Sequence, residues 1–389
     1  AYRNFNWNSV LGDPEADPEF RRGIGNPEVR QALWDIFFYR DYQKYGQVFG
    51  GDFSSGQWQP RHDLRMYIRK DTLANIWDHG VDAIASEPPV DPYAEGERPF
   101  QPDTMIGRPG TEEGQLTLPR NVAVGPDNTL YIADAGNHRI QVFDADGRYL
   151  RSWGEFGDGP GQFNEPWSVA VDDEHVYVAD TWNHRLQKFT HEGQWLETIG
   201  ESGSPESPES GGGLFFGPRD ILILADGNLL VTDTGNHRLQ LFDSDGNFIR
   251  AVGGNGASPG QFFEPVGIAA ADDGSIFVVD TWNGRIQQLD AFLQPVAEWP
   301  VDAWSGDSIN NKPYIAIDEN GRIYVTDPEA FRVLTFDLEG QYLGRFGRYS
   351  PDADGFGLPN GLAADGQGNL YVADANNSRI LKFATVDSG

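Results

Sequence analysis

A chain of 389 residues that is 39% hydrophobic and 13% aromatic can bury a sizeable core, which excludes wholesale disorder. Its 59 acidic residues against 29 basic ones leave a formal net charge of −30, a field that repels polyanions and argues against nucleic acid as a partner. Cysteine is absent, so disulfides, thiolate metal sites and a cysteine nucleophile are excluded, and no apolar run approaches the ~20 residues that span a bilayer.

In chain order, the first segment, 1–82, reads as a small α/β unit. Asn26 and Pro27 form a helix start, and Val29, Leu33, Ile36 and Phe37 follow at helical spacing, which predicts a helix over 27–45. "LRMYIRKD" alternates Leu64, Met66 and Ile68 with Arg65, Tyr67 and Arg69 and predicts a strand, while "TLANIWDHG" predicts a short helix that stops at Gly80. Residues 83–102 are rich in proline and acidic residues and predict an extended linker. No signal-peptide pattern follows Ala1, so any leader or membrane anchor is expected to lie outside this chain.

From 103 to 389 one unit recurs six times. Asp134, Asp180, Asp233, Asp280, Asp327 and Asp374 open near-copies of one string, such as "DTWNHRLQKF", at spacings of 46, 53, 47, 47 and 47. A proline precedes each, at 119, 166, 218, 265, 313 and 359. Every unit reads as four short strands separated by turn sequences, as in 122–124, 130–134, 139–143 and 149–154. Four antiparallel strands at this period predict a propeller blade, and six units predict a mainly β, six-bladed ring. The sixth unit lacks a fourth strand, and 103–107 aligns with the outer strand of other units, so it is expected to close the ring and remove the sheet edges.

"YVADTWNHRLQKF" with "PWSVAVD" upstream resembles the NHL repeat, whose family forms six-bladed β-propellers with diverse functions. Asp134 with Arg139, and the equivalent pairs, predict a tie across the hairpin between second and third strands. The asparagines, such as Asn137 and Asn183, suit a position of positive φ. His138, His184 and His237 recur in three successive units. Blade rotation keeps such rings apart, so hairpin roles are expected rather than a three-histidine metal site.

The positions that vary fall at the lead-in to each first strand and in the loop between second and third strands. Successive loops of a meander alternate ends, so both sets belong to one mouth of the channel. There the sequence places Arg120, Glu165, Trp167, Trp182, Arg219, Glu264, Trp282, Lys312, Tyr314 and Asn360. Flat aromatics beside Arg, Lys and Glu suit sugar rings or a polypeptide. The other reading is structural: tryptophans that cap blade edges, and Arg–Glu pairs closed within the ring. The segment 201–213, "ESGSPESPESGGG", is expected to be a flap or plain linker on the same face.

"FFYRDY" (37–42) and "WQPRHDLRMYIRKDTLANIW" (58–77) resemble the soluble region that follows the membrane helices of bacterial glycosyltransferase-like proteins of the mannosyltransferase type, some of which carry NHL repeats. That resemblance implies an extracytoplasmic, cell-envelope location and a membrane glycosyltransferase-like partner or parent chain. Two functions follow. One is a non-catalytic binding or assembly module for protein or glycan, with self-assembly as a further option and no cofactor. The other, implied by propellers resembling this one, is a metal-dependent lyase or lactonase at the channel, for which Glu165, Glu264 and Asn360 offer oxygen donors suited to calcium.

Overall fold

The computed structural model describes residues 91–204, 211–304 and 312–384. The helices and strand expected within 1–82 lie outside these residues.

The described residues form six four-stranded antiparallel sheets arranged as a six-bladed propeller. Blade one runs outward from the axis as Pro119–Val124, Leu130–Asp134, Arg139–Phe143 and Tyr149–Trp153. The innermost strands of blades two to six are Pro166–Val171, Pro218–Ile223, Pro265–Ala270, Ile315–Ile317 and Pro359–Ala364. Blade six takes its fourth strand from the other end of the ring. Thr104–Ile106 pairs antiparallel with Arg379–Ala384, in the register Thr104 to Lys382 and Ile106 to Ile380. The closure expected from the sequence is therefore present, and it leaves no first or last blade with a bare inner seam.

The core lies between blades. One apolar cluster fills each of the six seams; between blades one and two it joins Ile140, Val142, Phe163, Val178 and Phe189. Each fully buried side chain of this size contributes about 1.5–3 kcal/mol of transfer free energy. The second strand of each blade is buried along its length, because neighbouring blades cover both of its faces.

The repeated string builds one hydrogen-bond network per blade. In blade two, the Asp180 carboxylate accepts from Arg185 Nε at 2.8 Å, Asn183 Nδ2 at 2.9 Å, Gln187 Nε2 at 3.1 Å and the Asn164 N–H at 2.8 Å. Arg185 Nη2 then donates to the carbonyls of Gly159 and Gln162 in the lead-in loop. The Asp–Arg tie thus also fixes the loop that leads into the first strand of its own blade. The asparagine is committed to this network, and the positive φ expected for it falls one residue later. His138, His184 and His237 take φ of 55°, 56° and 56°, and Gly284, Phe331 and Ser378 occupy the same position. The reason is the preceding 3₁₀ turn, such as Thr181–Asn183, whose last residue is helical and whose cap is left-handed.

Blade five departs from the pattern. Ala330 stands where other blades have Asn, and Leu334, like Leu381 of blade six, stands where blades one to four have Gln. Arg332 still binds Asp327, at 2.7 Å, but its outer nitrogens reach Asp91 at 2.5 and 2.9 Å. Tyr93 is buried beside it against Phe336 and Tyr342. Within the stretch read as a linker, 91–100 is therefore docked on the propeller, with Arg98 N–H donating to the Arg345 carbonyl and Phe100 packed on Phe356 and Phe383.

Candidate functional site at the channel mouth

The residue after each lead-in proline opens the inner strand and faces the mouth. Three of these six positions converge. The guanidinium carbon of Arg120 lies 4.3 Å from the Trp167 ring centroid, and that of Arg219 lies 3.5 Å from it. Arg219 is also 5.1 Å from the Trp182 ring. Arg120 is half-buried, whereas Trp167 and Arg219 are buried. Tyr314, fully buried in blade five, sends its hydroxyl across to the Arg219 carbonyl at 3.1 Å. Asn360 occupies the equivalent place in blade six and is 0% exposed.

Electrostatically this centre is offset through space, by Glu165 at both arginines and by Glu264 at Arg219, and not by direct pairing. Among the described residues no carboxylate forms an ion pair with Arg120 or Arg219, and Nε and Nη1 of both are buried without a hydrogen-bond partner. The Trp167 indole N–H and both polar atoms of the Asn360 amide are likewise unpartnered. Burial weakens the protonated form of both arginines, pulling Arg219 down to about 10, with Arg120 adding like-charge repulsion. The expected Arg–Glu pairs do not form among the described mouth residues, where the close ion pair is made by a lysine. Lys312 Nζ binds Glu264 Oε2 at 2.5 Å, and Trp282 Nε1 donates to the same oxygen at 2.6 Å. Burial opposes ionisation of Glu264, but Lys312 and Trp282 outweigh it and hold its pKa low. Burial pulls Lys312 down, and Glu264 resists that shift.

The other rim tryptophan pair is looser. Trp182 Nε1 donates to Glu165 Oε2 at 3.2 Å, and the ring remains 46% exposed. Trp282 is half-buried against Phe263 and lies under the Lys312 ammonium. Phe156, Phe216 and Tyr349 stand exposed on the same side, packed on His138, His184 and Phe331 respectively. The lead-in loops and the left-handed caps thus raise a broken aromatic collar around a cationic centre.

The histidines are stitches between blades. Nδ1 of His138 accepts from the Glu165 N–H, that of His184 from Gly217, and that of His237 from Glu264, at 2.9–3.1 Å. This use of Nδ1 requires the neutral ring with its proton on Nε2. Among the described residues no group of three His, Cys, Asp or Glu side chains is placed to hold a metal ion. Of the three oxygen donors considered for calcium, Glu165 and Glu264 each serve a tryptophan, while the Asn360 amide is unpartnered among the described residues.

One layer deeper lies a cluster that the sequence reading did not single out. Asn121, Ser168 and Asp220, each two residues after its proline, meet across three blades. Ser168 Oγ donates to Asp220 Oδ1 at 2.7 Å, and Asn121 Nδ2 reaches the same oxygen at 3.2 Å. Asp220 also accepts from the N–H groups of Ile221 and Ile268. Burial raises its pKa to about 7. The equivalent residues of blades four and six are Gly267 and Gly361, where a Cβ would stand 2.7 Å from Tyr314 Cα and 2.5 Å from Asn121 Cα. The signal was available: the run Asn, Ser, Asp, Gly, Ile, Gly at one repeat position is polar where an ordinary core is apolar.

The face opposite the mouth consists of hairpin turns, and most of the described ones carry a carboxylate, such as Asp144, Asp243 and Asp337, that accepts backbone N–H groups within its own turn, with Thr190 taking that place in one turn of blade two. Much of the acidic excess is therefore turn chemistry located away from the arginines.

The NHL repeat matches residues 116–143, 163–189 and 356–383, and a family described as a 6-bladed beta-propeller matches 214–305. Protein brain tumor of Drosophila melanogaster is 46% identical over 66 residues, which are 17% of this chain and 6% of that protein. RING finger protein nhl-1 of Caenorhabditis elegans is 34% identical over 70 residues, 18% of this chain and 7% of that protein. The match thus spans under a tenth of either relative. Among solved structures, a gluconolactonase from Xanthomonas campestris aligns with TM-score 0.51 at 15% identity, covering 75% of this chain and 98% of its own. A protein of unknown function from Bacteroides thetaiotaomicron aligns with TM-score 0.52 at 17% identity, covering 72% and 75%. These likenesses concern the fold.

Proposed function

We propose that this chain, a set of NHL repeats closed into a six-bladed β-propeller, is a non-catalytic recognition module that docks a protein or glycan of the cell envelope on its mouth face. The observation that carries this reading is the exposed aromatic collar of Phe156, Trp182, Phe216 and Tyr349 around a mouth whose unpartnered polar groups, among the described residues, are two arginines, one amide and one indole. Aromatic and Arg side chains of this kind supply most of the energy in docking surfaces. A lyase or lactonase type of chemistry would need a convergent acid, base or metal-ligand set, and the rim carboxylates and histidines are engaged in tying loops together. The likeness of 37–42 and 58–77 to the soluble region of membrane glycosyltransferase-like proteins supports an extracytoplasmic setting, as partner or tail of such a protein.

The test is retention of the purified protein on immobilised envelope fractions from its own source, either protease-treated or glycan-stripped. Wild-type retention that falls at least about tenfold in Trp182→Ala with Phe216→Ala, with an unchanged melting temperature, supports the reading. Equal retention by the variant removes the mouth as the docking face.

A further inference from the structure

We propose that Arg120 and Arg219 form the two prongs of a carboxylate-binding pocket at the mouth of the channel, and that its occupant is an acidic side chain of a partner polypeptide. This rests on the reading of the mouth as a docking face and names the chemistry at its centre.

A guanidinium removed from water without a counter-charge costs several kcal/mol, and a fold ordinarily pairs it. The buried motif arginines of the repeats are paired in this way, as Arg238 is with Asp233 and Arg379 with Asp374. Arg120 and Arg219 instead share one indole ring at the channel mouth, and among the described residues their Nε and Nη1 have no hydrogen-bond partner. Two guanidinium groups stacked on one indole, whose own N–H is also unpartnered among the described residues, are a donor-rich set for a planar anion, which a fork of N–H groups binds with two parallel hydrogen bonds. The Trp167 ring holds both cations in place before the ligand arrives, which lowers the entropy lost on binding.

The surroundings select the occupant. Glu165 and Glu264 stand at the rim and Asp220 lies beneath, and the whole chain carries −30. A polyanionic glycan would bring many charges into that field, whereas one carboxylate on a polypeptide brings the single charge that the two prongs can match. The exposed Phe156, Trp182 and Phe216 offer apolar contacts to flanking residues of a chain, and these would exclude water from the ion pair.

The test uses the full chain, labelled with nitrogen-15, with the Trp167 indole N–H resonance assigned through Trp167→Phe. Capped glutamate, capped glutamine, a methyl glucuronoside and inorganic phosphate are titrated separately. We expect capped glutamate to move the Trp167 signal saturably, capped glutamine to leave it in place, and Arg219→Gln or Arg120→Gln to weaken the glutamate response by about thirtyfold or more. Both variants are checked for native near-ultraviolet circular dichroism; should one fail to fold, the other carries the test. Equal responses to glutamate and glutamine, or an unchanged response in a folded arginine variant, overturn the pocket. Tighter binding of glucuronoside or phosphate overturns the assignment to a polypeptide carboxylate. Trp182→Ala keeps the two proposals apart: loss of envelope retention without any glutamate response in the wild type leaves the docking face standing and removes only the carboxylate pocket.

Discussion

Nδ1 of His184, on the hairpin cap of blade two, accepts a hydrogen bond from the Gly217 N–H of blade three at 2.9 Å. His138 with Glu165 and His237 with Glu264 repeat this contact one seam earlier and one seam later. The bond joins the left-handed cap of one blade to the lead-in of the next, where Glu165, Gly217 and Glu264 also have positive φ. We expect His184→Ala to cost about 1–2 kcal/mol in urea unfolding, from the lost acceptor and the poorer tolerance of Ala for the left-handed region. Asn tolerates that region, so His184→Asn should cost less. Amide exchange at Gly217 should accelerate in both; unchanged protection there would show that the stitch is dispensable.

The same contact sets a pH dependence. Burial holds the pKa of His184 and of His237 below the ordinary histidine value. An unfolded histidine titrates near 6.5, so between that value and the lower folded pKa the unfolded chain binds more protons. The stabilisation is fully present above ~6.5 and is lost as pH falls through the folded pKa. Comparing wild type with the His184→Asn, His237→Asn double variant cancels the contributions of other groups to first order. We expect the stability gap to narrow as pH is lowered from 8 towards 5, and a gap that widens would reverse the argument.

Arg238 and Asp233 in blade three are both 0% exposed and 2.8 Å apart. Removing the carboxylate would strand the guanidinium in the seam. Asp233→Ala should therefore cost about 3–5 kcal/mol, and clearly more than Asp144→Ala in an exposed turn on the opposite face. Thermal melts of the two variants side by side check this. Similar losses would mean that the repeated carboxylate is no more than a turn former.

Blade five depends on a residue outside the repeats. Asp91 supplies the second carboxylate for Arg332, whose guanidinium in turn holds the Asp91 pKa below the usual carboxylate range. The Asp91 side chain is 40% exposed, so screening reduces the value of the pair, and Asp91→Asn is expected to cost about 1 kcal/mol. The loss should be local. Hydrogen exchange ought to rise in Arg332–Phe336 and leave Arg185–Phe189 unchanged, and a uniform rise across blades would contradict a local role.

How far the sequence was readable differs between levels. The six blades, the strand that closes the ring and the Asp–Arg tie were legible, because each rests on local spacing or on a repeat. The placement of positive φ was not, since Asn183 and His184 are both compatible with it and only the 3₁₀ turn decides between them. The mouth residues were legible as a set, but not their pairing. Nothing local says that Glu264 meets Lys312 from the next blade while Arg120 and Arg219 stay unpaired beside Trp167. That outcome follows from closing the ring. The Asn121–Ser168–Asp220 cluster was missed for a similar reason: residues nearly a hundred positions apart become neighbours only at the axis.

Asp220 is the buried carboxylate of that cluster, and its folded pKa of about 7 lies above the unfolded value of ~3.9. A raised pKa contributes stability that is fully present below the unfolded value and lost as pH rises through the folded one. The ionised Asp220 therefore weighs against folding at alkaline pH by up to about 4 kcal/mol. Asp220→Asn cannot ionise, although its amide replaces one of the oxygens that accept from Ser168, Asn121, Ile221 and Ile268. The lost acceptor gives a constant offset, so the slope is the informative quantity. Measured by urea unfolding between pH 4.5 and 8.5, the stability of Asp220→Asn relative to wild type should rise with pH and level off above about 7. A flat difference would mean that the hydrogen bonds of the cluster hold the carboxylate ionised at no net cost, and that the axial layer is not sensitive to protonation.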